Sequence, residues 1–138
     1  MTEVSRLPGD PPSPYEQEFS FCRVVRAGDF VLVGGTTSVD MHGVVHGATP
    51  YEQTTVIMRK IAHELRRAGS DLDGVVQTRV YVTDISRAGE VGRAHAEAFA
   101  GTRPLMTMVE VSGLIDPRML VEIETVAVAV TGEADPGV

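Results

Sequence analysis

Two acids stand two residues apart in one of the most apolar stretches of the chain, Leu120 to Val130, "LVEIETVAVAV". In a strand, residues i and i+2 share a face, so Glu122 and Glu124 look the same way. An ionised carboxylate in an apolar layer is costly unless something pairs with it. One reading makes such an acid a general base acting through a water. The other makes it half of an ion pair, and for Glu124 the partner expected is Arg79, across the sheet or across an assembly.

The remaining chemistry-bearing patterns fail on spacing. His63-Glu64 begins a zinc-protease HExxH, but position 67 is Arg, so a solvated helix face is expected there. His95-Ala96-Glu97 matches half of a zinc nucleobase-deaminase signature whose P-C-x-x-C partner is missing. His42 and His46 flank a glycine turn. Cys22 is the single cysteine, which excludes an intrachain disulfide and reads as an inert thiol. No metal site and no cofactor are expected. Gly34-Gly35 after a strand is too short a signal for a phosphate loop.

The chain of 138 residues is long enough for one domain with its own core. Its 43% hydrophobic and 22% charged residues are those of a soluble globular protein. A net charge of −7 argues against a general nucleic-acid binder. No signal peptide and no membrane span are expected, and the location expected is cytoplasmic.

Residues 1–13 read as an irregular, proline-rich arm, 14–131 as a single domain and 132–138 as a flexible tail. "FSFCRVVRAGDFVLVGGTT" reads as a hairpin turning at Ala27-Gly28-Asp29, and "VVH" as a further short strand. Thr49-Pro50-Tyr51-Glu52 is a capping box with proline at the first helical position. The stripe Ile57, Ile61, Leu65 and Ala68 follows it, and Gly69 stops the helix. "GVVQTRVYVT" is an alternating strand. Residues near 86–100 form a second helix with Val91, Ala94, Ala98 and Phe99 inward. "LMTMVEV" and "MLVEIETVAVAV" are two final strands. The fold class is therefore α/β (α+β): a mixed sheet with two helices packed on one face. The other face is apolar enough that oligomerisation is the natural way to cover it.

Four features in this order, "SPYEQ", "VGGTT", "RPLMTMVEV" and "LVEIETVAV", resemble the YjgF/Rid family, the reactive-intermediate deaminases also labelled endoribonuclease L-PSP. Gln53, Ile61, Leu65, Ala68-Gly69-Ser70, Val75-Val76 and Arg79 to Ile85 extend the resemblance through the central helix and following strand. The resemblance covers about Ser13 to Val130. It implies a chorismate-mutase-like fold and a homotrimer around a central barrel, with small-molecule clefts between subunits. Typical members hydrolyse 2-imino and enamine acids without a cofactor.

Carried over residue by residue, the resemblance makes Glu122 the acid that activates water. Tyr15 becomes the pocket tyrosine, Gly35 the backbone amide and Gly34 its neighbour. Arg93 takes the place of a pocket asparagine, and Met108 lines the same pocket. The arginine that typically grips the substrate carboxylate is here Met106, in Pro104-Leu105-Met106-Thr107. A thioether offers no charge and no donor fork. Ordinary 2-iminopropionate hydrolysis is therefore not expected. Arg93, Arg103 and Arg118 stand as possible replacements or as plain surface arginines, and Glu110 reads as structural. Two functions follow: a hydrolase of some other imine, enamine or reactive carbonyl compound, or a trimer that binds a metabolite without turnover. Ribonuclease action is disfavoured by the acidic charge.

Overall fold

The computed structural model describes residues 2–130. Among them, six strands form one mixed sheet: β1 (Val4–Leu7), β2 (Val24–Ala27), β3 (Phe30–Thr36), β4 (Val75–Val82), β5 (Leu105–Glu110) and β6 (Val121–Val128). Three α-helices join them: α1 (Pro14–Phe19), α2 (Pro50–Arg67) and α3 (Ala88–Ala98). The sheet order is β1-β2-β3-β6-β4-β5. Every pairing is antiparallel except β4 with β5, whose parallel course needs α3 as its crossover. The last strand, β6, inserts between β3 and β4 and is thereby the centre of the sheet.

The local rules account for most of these elements. Gly28, at φ 60°, makes the tight turn in which Ala27 pairs with Phe30. Thr49 caps α2 by accepting from the Glu52 amide at 3.1 Å. Its stripe Ile57, Ile61 and Leu65 is fully buried against Val31, Val33, Val80 and Ile123 of the sheet. Val91 and Phe99 of α3 join the same core. Both long helices thus cover one face, as the alternation predicted.

Three expectations are corrected. The arm 1–13 is not irregular throughout, because Val4–Leu7 pairs antiparallel with β2 as the sheet's edge. The run "VVH" contributes only an isolated bridge, Val39 with Val45. Glu64 is not on a solvated face: it is 4% exposed and paired with Arg67 at 3.2 Å. The tail expected at 132–138 lies outside the described residues. An additional short helix, α1, begins at Ser13-Pro14-Tyr15-Glu16, where the Glu16 carboxylate accepts from the Ser13 amide at 2.7 Å. That is the reciprocal half of a capping box, set where no long apolar stripe follows.

One buried side chain ties helix to site. Gln53 donates to the carbonyls of Gly47 and Arg118, at 3.1 and 2.9 Å, and accepts from the Leu120 amide at 2.8 Å. It thereby holds the chain just ahead of Glu122. Gln53→Leu would leave three backbone groups unpaired, each costing about 1–3 kcal/mol if it stays dry. Denaturant unfolding should show a loss of about 3 kcal/mol or more; a variant as stable as the wild type would contradict this anchoring role.

Candidate active site

Along β6 the side chains alternate cleanly. Val121, Ile123, Thr125 and Ala127 are buried beneath the helices, while Glu122 and Glu124 lie on the open face. Between Val33 and Thr36 the register of β3 on β6 shifts by one residue, a β-bulge occupied by Gly34-Gly35. The bulge presses Gly35 against the Glu122 carboxylate. A Cβ at position 35 would overlap Oε2 and stand 3.1 Å from Cδ, so glycine is what admits the acid here.

The second charge at this place is Arg23, 7% exposed and immediately ahead of β2. Its guanidinium donates to the Gly35 carbonyl, to Thr36 Oγ1 at 3.4 Å and to Ser13 Oγ at 3.4 Å. It also pairs with Glu16 at 3.5 Å. Burial pushes the Glu122 carboxyl above the usual carboxylate range; the Arg23 charge opposes that shift and the Glu124 charge adds to it. The result is a partly desolvated acid of raised basicity beside a fixed cation and a glycine backbone. Such a group can take a proton from a water held against it.

Within the chain Glu124 makes no ion pair with Arg79 among the described residues, although the two are register neighbours. Among the described residues its partner is the Tyr81 hydroxyl. That bond, the largest influence on Tyr81, raises the phenol's pKa. Glu110 has the structural task expected, accepting from the Ile85 amide at 3.0 Å.

The other expected site residues separate into different places. Gly34 and Gly35 join Glu122. Tyr15 stacks on Phe19, with ring centroids 6.0 Å apart, and lies within electrostatic reach of Arg118. Met106 and Met108 pair with Thr78 and Val80, whose side chains are buried on the helix side. They therefore face away from Glu122, which pairs with Tyr81 on the open face. Arg93 lies over the Tyr51 ring at 4.0 Å, on the helical layer. One chain thus holds the acid and the methionines on opposite sides of its sheet. Arg118 chelates Asp116, its Nη2 at 2.6 Å from Oδ2. Arg103 stands after α3 at φ 52° with its side chain exposed. Neither is the guanidinium acting on Glu122.

That guanidinium is Arg23, which sequence reasoning missed. The available signal was an arginine abutting a Val-Val strand, seven residues after a capping-box glutamate. His95 is buried, hydrogen-bonded to Thr78 Oγ1 at 2.8 Å and shifted down by burial, a neutral core histidine. Among the described residues no group of three or more His, Cys, Asp or Glu is placed to hold a metal. No helix among them is long and apolar enough to cross a membrane.

The family model for endoribonuclease L-PSP matches residues 13–129, from the cap of α1 to the end of β6. This chain belongs to the endoribonuclease L-PSP family. The Streptomyces coelicolor protein SCO2049 is 39% identical over 115 residues, covering 83% of this chain and 86% of that protein. A RutC family protein of Pyrococcus abyssi is 30% identical over 119 residues, with 85% and 87% covered. Among solved structures, Rv2704 of Mycobacterium tuberculosis, described as a member of the YjgF/YER057c/UK114 family, is 42% identical. It superposes with a TM-score of 0.83 over 92% of this chain and all of that one. A Yersinia pestis protein described as of the conserved Rid family is 25% identical, with a TM-score of 0.81 over 92% and 100%. The L-PSP fold is therefore shown from the cap of α1 to the last strand.

The raised pKa of Glu122 sets a sign for stability. The folded state favours the neutral acid, so its contribution is fully present below the ordinary carboxylate pKa and is lost as pH rises through the folded value. Glu122→Gln should therefore melt higher than the wild type at neutral pH, and the difference should vanish near about pH 4. Thermal melts across that range test this; a Gln variant less stable at neutral pH would contradict it.

Proposed function

We propose that this L-PSP family protein is a trimeric, cofactor-independent hydrolase of an imine, enamine or related reactive carbonyl compound. The observation that carries the reading is Glu122: an acid of raised basicity, pressed on Gly35 and faced by the fixed Arg23 guanidinium. Glu122 takes a proton from a water as its oxygen attacks the C=N carbon, and the Gly35 amide holds the polarised atom. Collapse of the resulting carbinolamine returns the proton and releases ammonia, leaving a carbonyl.

The trimer is supported by two features. Phe30, Leu32, Leu105, Val109 and Val128 are exposed on the open sheet face, between 38% and 71%. The separation of Met106, Met108 and Arg93 from Glu122 within one chain also fits a cleft completed by the neighbouring copy. In that cleft Tyr15, Gly34 and Gly35 would come from the acid's side. Met106 offers the ligand packing rather than a charge, so the preferred substrate is larger or less acidic than iminopropionate.

A second reading, a trimer that binds a metabolite without turnover, is favoured by the same methionine. Losing a bidentate charged contact removes roughly 1.5–3 kcal/mol per hydrogen bond from the grip on a small imino acid. One assay separates the readings. Imines generated from a broad panel of amino acids are offered to the wild type, Glu122→Gln and Met106→Arg. Hydrolysis of bulky or weakly acidic imines that falls at least a hundredfold in Glu122→Gln is the expected outcome. No turnover across the panel, together with saturable binding, would leave the binding trimer. Sedimentation of the same samples should give three copies.

A further inference from the structure

A second concave site is also lined by Arg23. The segment from Gly9 to Glu16, the chain beyond β3 from Thr36 to Asp40, and one side of α2 enclose a cavity of about 330 Å³. Glu122 is not among the residues that line it.

The lining carries four carboxylates and three permanent cations, and two of the carboxylates face histidines. Asp10 pairs with His63 at 3.0 Å, and Asp40 with His46 at 2.8 Å. Glu16 is held by Arg23, and Glu64 by Arg67. Every carboxylate at the cavity thus has a cationic or histidine partner. Two cations on adjacent positions of α2 do not. Lys60 Nζ donates to the carbonyls of Thr37 and Val39, at 2.5 and 2.7 Å, and has no carboxylate within 4 Å among the described residues. Arg59 forms no ion pair among them. Burial, the largest influence, lowers the Lys60 pKa to about 8, so near neutral pH it remains mainly an ammonium with one N–H uncommitted.

A third group points the same way. Ser38 lines the cavity at 1% exposure, and its Oγ has no hydrogen-bond partner in the protein. A buried hydroxyl left alone costs free energy, and the Lys60 ammonium keeps an N–H to donate. An anion would answer both. The carboxylates around the cavity disfavour a multiply charged phosphate, and the apolar Val39, Val56 and Pro11 suit a carbon chain.

We propose that this cavity is a binding site for a small organic monocarboxylate, with its carboxylate held by Lys60 Nζ, Arg59 and Ser38 Oγ. It is distinct from the Glu122 site. Arg23 lines it and also acts on Glu122, so the two sites share one fixed cation.

Calorimetric titration with butanoate, 2-oxobutanoate and inorganic phosphate tests the assignment. The wild type should bind a carboxylate saturably and phosphate more weakly. Lys60→Gln should weaken carboxylate binding at least tenfold, and exposed Arg59→Gln should weaken it in a protein whose fold is undisturbed. Glu122→Gln should keep it. The proposal is overturned if no carboxylate saturates, if phosphate binds better, or if Arg59→Gln binds as the wild type does. Loss of binding in Glu122→Gln with retention in Lys60→Gln would also overturn it, placing the ligand at the other site. Imine turnover is read separately, so the hydrolase reading can stand or fall independently of this one.

Discussion

A single buried guanidinium organises this end of the molecule. Arg23 joins the cap of α1, through Ser13 and Glu16, to the bulged end of β3, through Gly35 and Thr36. A planar, permanently charged group with several donors can bridge such separate acceptors while staying nearly dry. Lysine, with one point charge, could not reach the same set. The N-terminal segment is closed over the end of the sheet by this contact and by the β1–β2 ladder. The position of the Gly35 peptide, and with it the surroundings of Glu122, follows from where Arg23 is fixed.

The bulge has a related logic. An uninterrupted β3–β6 ladder would carry regular pairing past Val33, and a side chain at position 35 would meet the acid. Inserting one residue, and making both bulge residues glycine, opens room for a carboxylate on the open face. Glu122 is held at a cost in desolvation that Arg23 offsets only in part. Local destabilisation of this kind is found where a group is retained for something other than folding.

The most legible parts of the sequence were those where local chemistry and packing agree. For α2, the cap, the proline and the apolar stripe all point to one helix, and the hairpin at Gly28 is equally explicit. Ser13-Pro14-Tyr15-Glu16 carries the same cap, yet no apolar period follows it, so α1 was hidden. β1 is four residues of mixed character whose strand state is imposed by pairing with β2, a partner that local pattern does not name. Arg23 was missed because its side-chain partners lie 7 to 13 residues away and meet only in three dimensions. Likewise, the parity of Met106 against Glu122 depends on the β4–β5 and β4–β6 registers. Alternation within one strand cannot supply it.

The parallel β4–β5 pair has a consequence for how this architecture varies. Met106 and Met108 point to the helical side of an edge strand, whereas Glu122 points outward from the central strand two positions away. Their side chains leave the sheet on opposite faces, so a change at the edge meets the helical layer rather than the acid. Effects of distant, unlinked positions tend to add rather than interfere. A substitution on the edge strand can therefore leave the central strand in place. In this chain the acid and the edge methionines can each be changed while the other keeps its surroundings.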